Sequence, residues 1–333
     1  MSNAPTVSVI MPVYNTRSEW LCSAIDSILS QTFQDFELII IDNGSDEATR
    51  RILANYSDPR IVRRRLEKNV GAASARNEAL DMARGEFLAI MDSDDIALPN
   101  RLEAQISFLR AHTEVGVLGS CVGDANDPGK IMRSEGCLDS RRIECDLMLV
   151  GNMFCASSLV FRAEVLHRVG VRFSADFFPS EDFKILTDLI GKTRFAKLEE
   201  RLVLYRFHFP NRYQDDQEVL AGQIQVDLLS RLYDVSREDA LLFTHALHAP
   251  HTMTEDMERL CDAFRHILSQ LTAHGYPHAD VMASLQWAAR KIFYRTKSLR
   301  GQLRLFRSPL GREFHMGLLR RVWCLLTRGI LSF

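Results

Sequence analysis

Apolar and polar positions alternate in blocks along the first 120 residues. The short apolar runs Val7–Met11, Leu38–Ile41 and Phe87–Met91 each have the length of a buried strand. Between the first two runs, the apolar residues from Trp20 to Leu29 recur at the three- and four-residue spacing of a helix. Strands that alternate with amphipathic helices in this way predict βα units that build a largely parallel sheet.

Weaker patterns continue this organisation towards residue 215. From Gly116 to about Arg142 the periodicity loosens, and the Gly, Asp, Asn and Pro residues there predict a surface loop. Beyond residue 215 the strand patterns end, so we predict a first domain over 1–214 and a helical region over 215–333. The other predicted elements are strands at Ile61–Arg65, Leu159–Phe161 and Leu202–Phe207, and helices at Ala72–Arg84, after Pro99 and at Glu181–Ile190.

Composition adds few constraints to this picture. With 46% hydrophobic residues, 25% charged residues and a net charge of -2, the chain has no overall field that favours nucleic acid. The segment Met1–Thr6 is short and polar, unlike a secretory signal, which predicts a cytoplasmic protein. The seven cysteines form no C-x-x-C pair, so we expect reduced and mostly buried thiols.

A cluster of acids follows directly after the apolar run Phe87–Met91, in the segment Asp92-Ser93-Asp94-Asp95. Ligands of α/β sheets bind beyond the carboxyl ends of the strands, so these acids form a candidate site. Carboxylates this close repel one another unless a cation lies among them, and hard oxygen ligands suit Mg²⁺ or Mn²⁺ that binds a diphosphate. Acids that stabilise a helix N-terminus are the alternative, and this motif alone does not separate the two.

Six segments stand in a recognisable order along the chain: Val9–Asn15, Ile40–Ser45, Asn69–Gly71 with Ala75–Asn77, Phe87–Asp95, Ser180–Asp182 and Tyr205–His208. Together they resemble the motifs of inverting family 2 glycosyltransferases, over roughly residues 5 to 210. The resemblance implies the GT-A fold, an α/β class with a Rossmann-related mixed sheet flanked by helices, here with a C-terminal helical extension. It also implies transfer of one sugar from a nucleotide diphosphate donor, with a UDP-linked donor favoured.

The same resemblance implies roles for individual residues. Tyr14 and Asp42 are expected to hold the nucleotide base, and Asp92 to reach the ribose or, through water, the metal. Asp94 and His208 are expected to bind Mn²⁺ or Mg²⁺. The full set expected to contact the nucleotide sugar is Pro12, Tyr14, Asn15, Asp42, Asn69, Gly71, Arg76, Asp92 and Ser93.

Inversion at the sugar carbon requires a base that takes the proton of the acceptor hydroxyl. Asp182 is our candidate for this base, and the adjacent Glu181 is the alternative, since neighbouring residues at a helix start point in different directions. The segment from 152 to 158 resembles the family segment beside the acceptor, although Cys155 occupies a position where histidine is frequent.

The C-terminal residues 290–333 carry eleven Lys or Arg and one acid, a net charge of +10. The last helix also has an apolar side, which suits a helix in the interface of an anionic membrane. Docking of that side on the catalytic domain is the alternative, and both stay open. We therefore expect a cytoplasmic protein, which is peripheral on the inner face of the membrane if these C-terminal residues bind there. Its expected acceptor is a glycan or lipid-linked glycan in polysaccharide or lipopolysaccharide synthesis. No aromatic motif supports a nucleic-acid partner.

Two rival interpretations remain from other classes. A phosphatase of the haloacid dehalogenase type also places a D-x-D motif after an apolar strand, with one acid as nucleophile. That family has its motif on the first strand, whereas Asp92 lies about ninety residues into this chain. A membrane-associated scaffold that kept a transferase fold without catalysis is the second rival.

Overall fold

The computed structural model describes residues 4–127, 139–207, 213–249 and 257–295. Within these residues the chain divides into two compact units. The first contains residues up to 143 together with 154–214, and the second contains 144–153 together with residues from 215 onwards. The second unit thus includes a segment, 144–153, that a boundary at residue 215 would assign to the first.

The first unit is built on an eight-stranded mixed sheet, in agreement with the predicted fold class. Its strands are β1 (Val7–Val13), β2 (Phe36–Asp42), β3 (Ile61–Arg65), β4 (Phe87–Ile90), β5 (Ile96–Ala97), β6 (Val115–Asp124), β7 (Val160–Arg162) and β8 (Arg194–Tyr205). They lie in the order β3-β2-β1-β4-β7-β6-β8-β5. The first four in this order run parallel, whereas β7 pairs antiparallel with β4 and with β6.

The central strands are buried on both faces, which explains their continuous apolar runs. Alternate residues of β1 and β2, such as Val9 and Leu38, pack with Leu21 and Ile25 of the first helix in one core cluster. The residues between them, such as Ile10, are also fully buried. The helices up to residue 189 are α1 (Ser18–Leu29), α2 (Glu47–Ala54), α3 (Ala72–Met82), α4 (Arg101–Ala111), α5 (Ser140–Leu149), α6 (Ala163–Val169) and α7 (Glu181–Leu189).

The prediction of a surface loop from Gly116 to about Arg142 is wrong for the first part of this range. Residues 115–124 form β6, which is buried along almost its whole length and pairs with β7 and β8. A Cβ atom added at Gly119 would lie 2.3 Å from Cδ1 of Phe154, so glycine is needed for this ring to pack on the strand. The glycines that allow such close packing also remove the alternating pattern by which a strand is recognised. Residues 128–138 of the predicted loop lie outside the described residues.

The described residues of the second unit form helices. Its helices are α8 (Gln214–Leu232), α9 (Arg237–His248), α10 (Met257–Ala273) and α11 (His278–Arg295). Buried hydrogen bonds join residues 144–153 to these helices: Tyr276 Oη donates to Glu144 at 2.7 Å, and Ser284 Oγ donates to Asp146 at 2.6 Å. In the part of the chain that the structure describes, no helix is long and apolar enough to cross a bilayer.

The packing at Gly119 gives a direct test of the fold. The substitution Gly119→Ala should lower the free energy of unfolding by about 1–3 kcal/mol, because the new methyl group overpacks the Phe154 ring. Urea denaturation followed by circular dichroism measures the loss. Adding Phe154→Leu to Gly119→Ala should recover part of it; an unchanged stability of Gly119→Ala would contradict the described packing.

Candidate active site

The carboxyl ends of β1, β2 and β4 lie side by side because these strands are parallel neighbours. Val13 at the end of β1 lies opposite Asp42 at the end of β2, and Ile10 lies opposite Ile90 of β4. The polar segments that follow the three strands therefore meet at one edge of the sheet. Pro12, one of the expected contact residues, lies in β1 opposite Ile41.

Asp42 is almost fully buried, and both of its carboxylate oxygens have donors. Oδ1 accepts a hydrogen bond from the Ser45 amide at 2.8 Å, and Oδ2 accepts one from Nη1 of Arg65 at 2.6 Å. Arg65 lies opposite Asp42 on β3 and is partly exposed. Both residues line a pocket of about 260 Å³. Because each carboxylate oxygen has two lone pairs, Asp42 can accept a further N–H while Arg65 offers donors beside it.

The loops after β1 and β2 are locked together. The Asn15 amide donates to Oγ of Ser45 at 3.3 Å, and Oδ1 of Asn15 accepts from the Asp46 amide at 2.8 Å. Asn15 has a positive φ of 48°, a conformation that asparagine tolerates better than most residues. Tyr14, directly before it, is 48% exposed. The loop thus holds a large aromatic ring at the surface, on a braced backbone.

Asn69 and Gly71 form a turn that leads into α3. Nδ2 of Asn43 donates to Oδ1 of Asn69 at 2.9 Å, and the Gly71 amide donates to the same oxygen at 2.8 Å. Oδ1 of Asn43 accepts from the Val70 amide. Gly71 adopts a φ of 85°, which favours glycine at this helix start. The Asn69 side chain therefore orders the turn.

Arg76 lies on α3, is 5% exposed and joins two parts of the candidate site. Its Nη2 donates to Oδ1 of Asp92 and its Nη1 donates to Oε1 of Glu181, each at 2.7 Å. Burial opposes the charge of the guanidinium, but Asp92 and Glu181 outweigh that effect and raise the pKa of Arg76 above its ordinary value. The first acid after β4 and the first residue of α7 are thus bound to one cation.

Asp182, the candidate base, is in the first turn of α7, where its Oδ1 accepts from the Phe183 amide at 2.7 Å. Loss of hydration and the neighbouring charge of Glu181 raise the pKa of Asp182 to about 7, against the opposing effect of Arg76. A carboxyl group with this pKa gains or loses a proton near neutral pH. It can therefore act as a proton acceptor under physiological conditions.

The acids after β4 are held from several elements. The Asp92 amide donates to Oγ of Ser157 at 3.0 Å, and the hydroxyl groups of Ser93 and Thr16 lie 2.6 Å apart. Asp95 is fully buried, and burial together with Asp94 and Asp92 raises its pKa well above the usual range. Its Oδ2 has no hydrogen-bond partner among the described residues. The segment therefore contains a buried carboxylate oxygen in excess of its described donors.

This excess of carboxylate oxygens fits a divalent cation that also binds a diphosphate. Among the described residues no three His, Cys, Asp or Glu side chains converge on one point as a complete metal cage. Of the two expected ligands, Asp94 is partly exposed in this segment and His208 lies outside the described residues. Proteins usually bind Mg²⁺ through one or two carboxylates, and substrate phosphates complete its coordination shell.

The segment beside the expected acceptor site carries Cys155. Burial, followed by the charges of Asp95 and Asp92, raises the pKa of the Cys155 thiol well above its usual value. The thiol is therefore protonated at neutral pH. Ser157 and Ser158, shortly after it, are fully buried, so this stretch is anchored next to the acids.

Sequence reasoning missed two arginines of this site. Arg206 lies within the motif Tyr205–His208, and its backbone amide and its Nε donate to Oδ1 of Asp95 and to the Asp94 carbonyl. Arg101, at the start of α4, is fully buried and its Nη2 donates to the Ile90 carbonyl at 2.8 Å. Burial lowers the pKa of Arg101 to about 10. The motif could have indicated Arg206, whereas no pattern distinguishes Arg101 from a surface arginine.

Comparisons with known proteins identify the family of this chain. A family model described as glycosyl transferase family 2 matches residues 8–170. An uncharacterized glycosyltransferase of Methanocaldococcus jannaschii is 31% identical over 213 residues, which cover 62% of this chain and 72% of that protein. The chain belongs to glycosyl transferase family 2. Its predicted family is thereby confirmed.

Two further relatives bear on substrate and fold. A UDP-Glc:alpha-D-GlcNAc-diphosphoundecaprenol beta-1,3-glucosyltransferase of Escherichia coli is 41% identical over 133 residues, 38% of this chain and 52% of that protein. The structure of S. aureus TarS 1-349, in complex with UDP-GlcNAc, matches with a TM-score of 0.60 at 20% identity, over 91% of this chain and 89% of that one. The likeness confirms the GT-A fold for this member of glycosyl transferase family 2.

The Arg76 contacts predict a large effect on stability. The substitution Arg76→Met should lower the free energy of unfolding by about 3–5 kcal/mol, because it leaves the carboxylates of Asp92 and Glu181 without their cation in a buried site. Urea denaturation measures the loss. As a control, Arg172→Met removes an exposed ion pair with Asp81 and should cost less than about 1 kcal/mol. Equal losses in the two variants would contradict the role given to Arg76.

Proposed function

We propose that this chain is an inverting, metal-dependent glycosyltransferase that moves one sugar from a UDP-linked donor to an acceptor hydroxyl. The observation that carries the proposal is the bridge from Asp92 through Arg76 to Glu181. Asp92 is one of the acids expected to bind the donor, and Glu181 begins the helix that carries the candidate base. Both contact the guanidinium of Arg76. Family membership supplies the reaction class, and the bridge supplies the geometry.

The nucleotide end of the proposed site lies at β1 and β2. Asp42 can accept an N–H of the base, and Arg65 beside it can donate to a neighbouring carbonyl, as the imide edge of uracil requires. The exposed ring of Tyr14 is available to stack on the base. The Escherichia coli relative acts on UDP-Glc and TarS binds UDP-GlcNAc by their names, which supports a UDP-linked donor here.

The diphosphate end of the site is assigned to the acids after β4. Asp94 and His208 would hold Mn²⁺ or Mg²⁺, with Asp92 at the ribose or at a metal-bound water. When bound, the cation neutralises charge that grows on the leaving nucleoside diphosphate. Asp92 is already fixed by Arg76 and by Ser157, so it needs no reordering when a donor binds.

In this proposal Asp182 accepts the proton of the acceptor hydroxyl. The acceptor oxygen then attacks the sugar carbon from the face opposite the leaving diphosphate, which inverts the configuration in a single displacement. The hydrogen bond from Arg76 holds Glu181, so we assign Glu181 to positioning and Asp182 to proton transfer. The partly buried and protonated Cys155 lies beside the acids and contributes no competing base.

The proposed acceptor is a glycan, free or lipid-linked, in the synthesis of cell-surface polysaccharide or lipopolysaccharide. The named substrate of the Escherichia coli relative, a diphosphoundecaprenol-linked sugar, supports a lipid-linked acceptor. The charge of +10 on residues 290–333 would suit the inner face of an anionic membrane, where such an acceptor is found. Of this segment, residues 296–333 lie outside the described residues. We propose no nucleic-acid partner.

Neither rival interpretation gains support. The haloacid dehalogenase alternative conflicts with the family of the chain, and its nucleophile would be Asp92, which instead forms an ion pair with Arg76. A scaffold without catalysis would bind a nucleotide at most. Release of UDP from a donor therefore separates a scaffold from a transferase.

Hydrolysis of the donor by water tests the metal site without knowledge of the acceptor. With UDP-glucose or UDP-N-acetylglucosamine and Mn²⁺, we expect slow release of UDP that stops when the metal is chelated. Asp94→Asn should lower this rate about tenfold or more, because it removes a charged ligand. The control Asp81→Asn, at an exposed acid, should leave the rate unchanged. A rate that does not depend on metal would contradict the proposal.

The role of Asp182 predicts a pH profile. The base must be ionised, so kcat/KM for donor hydrolysis should rise with pH up to about 7 and then level off. Asp182→Asn should remove this acidic limb and lower turnover about a hundredfold or more, while donor binding measured by calorimetry stays within about twofold. Asp188→Asn, on the same helix, is the matched control. Undiminished turnover in Asp182→Asn would refute the assignment.

A further inference from the structure

Arg206, directly after β8, contacts the backbone and side chains around the acids that follow β4. Its Nε donates to the Asp94 carbonyl at 2.8 Å, and its amide donates to Oδ1 of Asp95 at 2.8 Å. Its Nη1 donates to Oδ1 of Asn126 at 3.2 Å. One residue thus contacts both of the last two acids of the segment.

The guanidinium of Arg206 is also held from the other side. Its Cζ lies 4.7 Å from the centre of the Trp20 ring on α1, and Cζ of Arg17 lies 4.6 Å from the centre of the same ring. Stacking of a flat guanidinium on an aromatic face restricts its rotation and adds a cation–π attraction. The Arg206 guanidinium is therefore held by contact with the Trp20 ring as well as by its hydrogen bonds.

The remaining residues of the acidic segment are held by different partners. Asp92 is bound by Arg76 and Ser157, and Ser93 by Thr16. At Asp94, the proposed metal ligand, the contact from Arg206 is made to the backbone carbonyl. A donor that fixes a peptide group limits the directions in which the side chain of that residue can reach.

We infer that Arg206 is a positioning residue for the metal site: it holds the backbone of Asp94 so that the carboxylate is directed at the cation that binds the donor diphosphate. The inference rests on the proposed function. A lysine at position 206 would keep the positive charge. It would lack the planar guanidinium that lies over the Trp20 ring and the Nε–H group that donates to the Asp94 carbonyl. Partners that orient a metal ligand typically change metal affinity 10- to 100-fold when they are replaced.

The test measures binding, so it requires no acceptor. Electron paramagnetic resonance of free Mn²⁺ gives the affinity for Mn²⁺ in the presence of UDP, and calorimetry gives the affinity for UDP without metal. In Arg206→Lys we expect the Kd for Mn²⁺ to rise about tenfold. The Kd for UDP without metal should stay within about twofold. Trp20→Leu, which leaves Arg206 in place, should change the Kd for Mn²⁺ in the same direction and serves if Arg206→Lys fails to fold.

Arg162 provides a matched control at the opposite end of β4. It also donates to a backbone carbonyl, that of Leu109 at 2.9 Å, and its Cζ lies 5.1 Å from the centre of the Phe87 ring. Arg162→Lys should therefore leave the Kd for Mn²⁺ unchanged.

Three results overturn the inference. Wild-type affinity for Mn²⁺ in Arg206→Lys, or an equal loss of affinity for UDP without metal, would show that Arg206 has no specific effect on the metal site. Absence of Mn²⁺ binding by the wild-type protein with UDP would instead remove the proposed metal site, and the inference with it. The first two results would leave the proposed function intact, whereas the third would remove it. Failure of the inference can therefore be distinguished from failure of the proposed function.

Discussion

One buried guanidinium holds the two sides of the candidate active site together. Arg76 binds Asp92 after β4 and Glu181 at the start of α7, and both contacts are 2.7 Å long. Buried carboxylates are costly unless a cation compensates them, so these elements depend on Arg76 for their mutual position. The same cation opposes the rise in the pKa of Asp182 that burial and Glu181 produce. Structure and proton chemistry at this site therefore share one interaction.

The acidic segment after β4 is organised before any ligand binds. Its residues contact partners from several parts of the chain: Thr16, Arg76, Ser157 and, for both Asp94 and Asp95, Arg206. A site whose dipoles and charges are fixed in advance pays little reorganisation energy during reaction. Burial together with Asp94 and Asp92 raises the pKa of the fully buried Asp95, which reflects how closely the acidic groups are concentrated in this segment. Such a concentration suits a site that receives a cation with its substrate.

The success of the strand predictions follows from burial. β1, β2 and β4 lie inside the sheet and are apolar on both faces, so local composition alone indicated them. β6 was not predicted because glycine occupies positions such as 119. The Phe154 ring packs against Gly119 and leaves no room for a side chain there. The sequence did not indicate that residues 144–153 belong to the second unit. Their buried hydrogen bonds join partners more than 70 residues away, such as Tyr276.

The sequence by itself determined the family, the strands β1 to β4, the helices α1, α3 and α4, and the acids and aromatic side chains that follow the strand ends. These features are local, since periodicity and motif spacing are written in consecutive residues. Only the tertiary structure decided which charges meet. Arg76 and Glu181 are 105 residues apart, and Arg206 and Asp94 are 112 apart. Their pairing depends on how the sheet brings distant strand ends to one edge, and no local pattern encodes that distance.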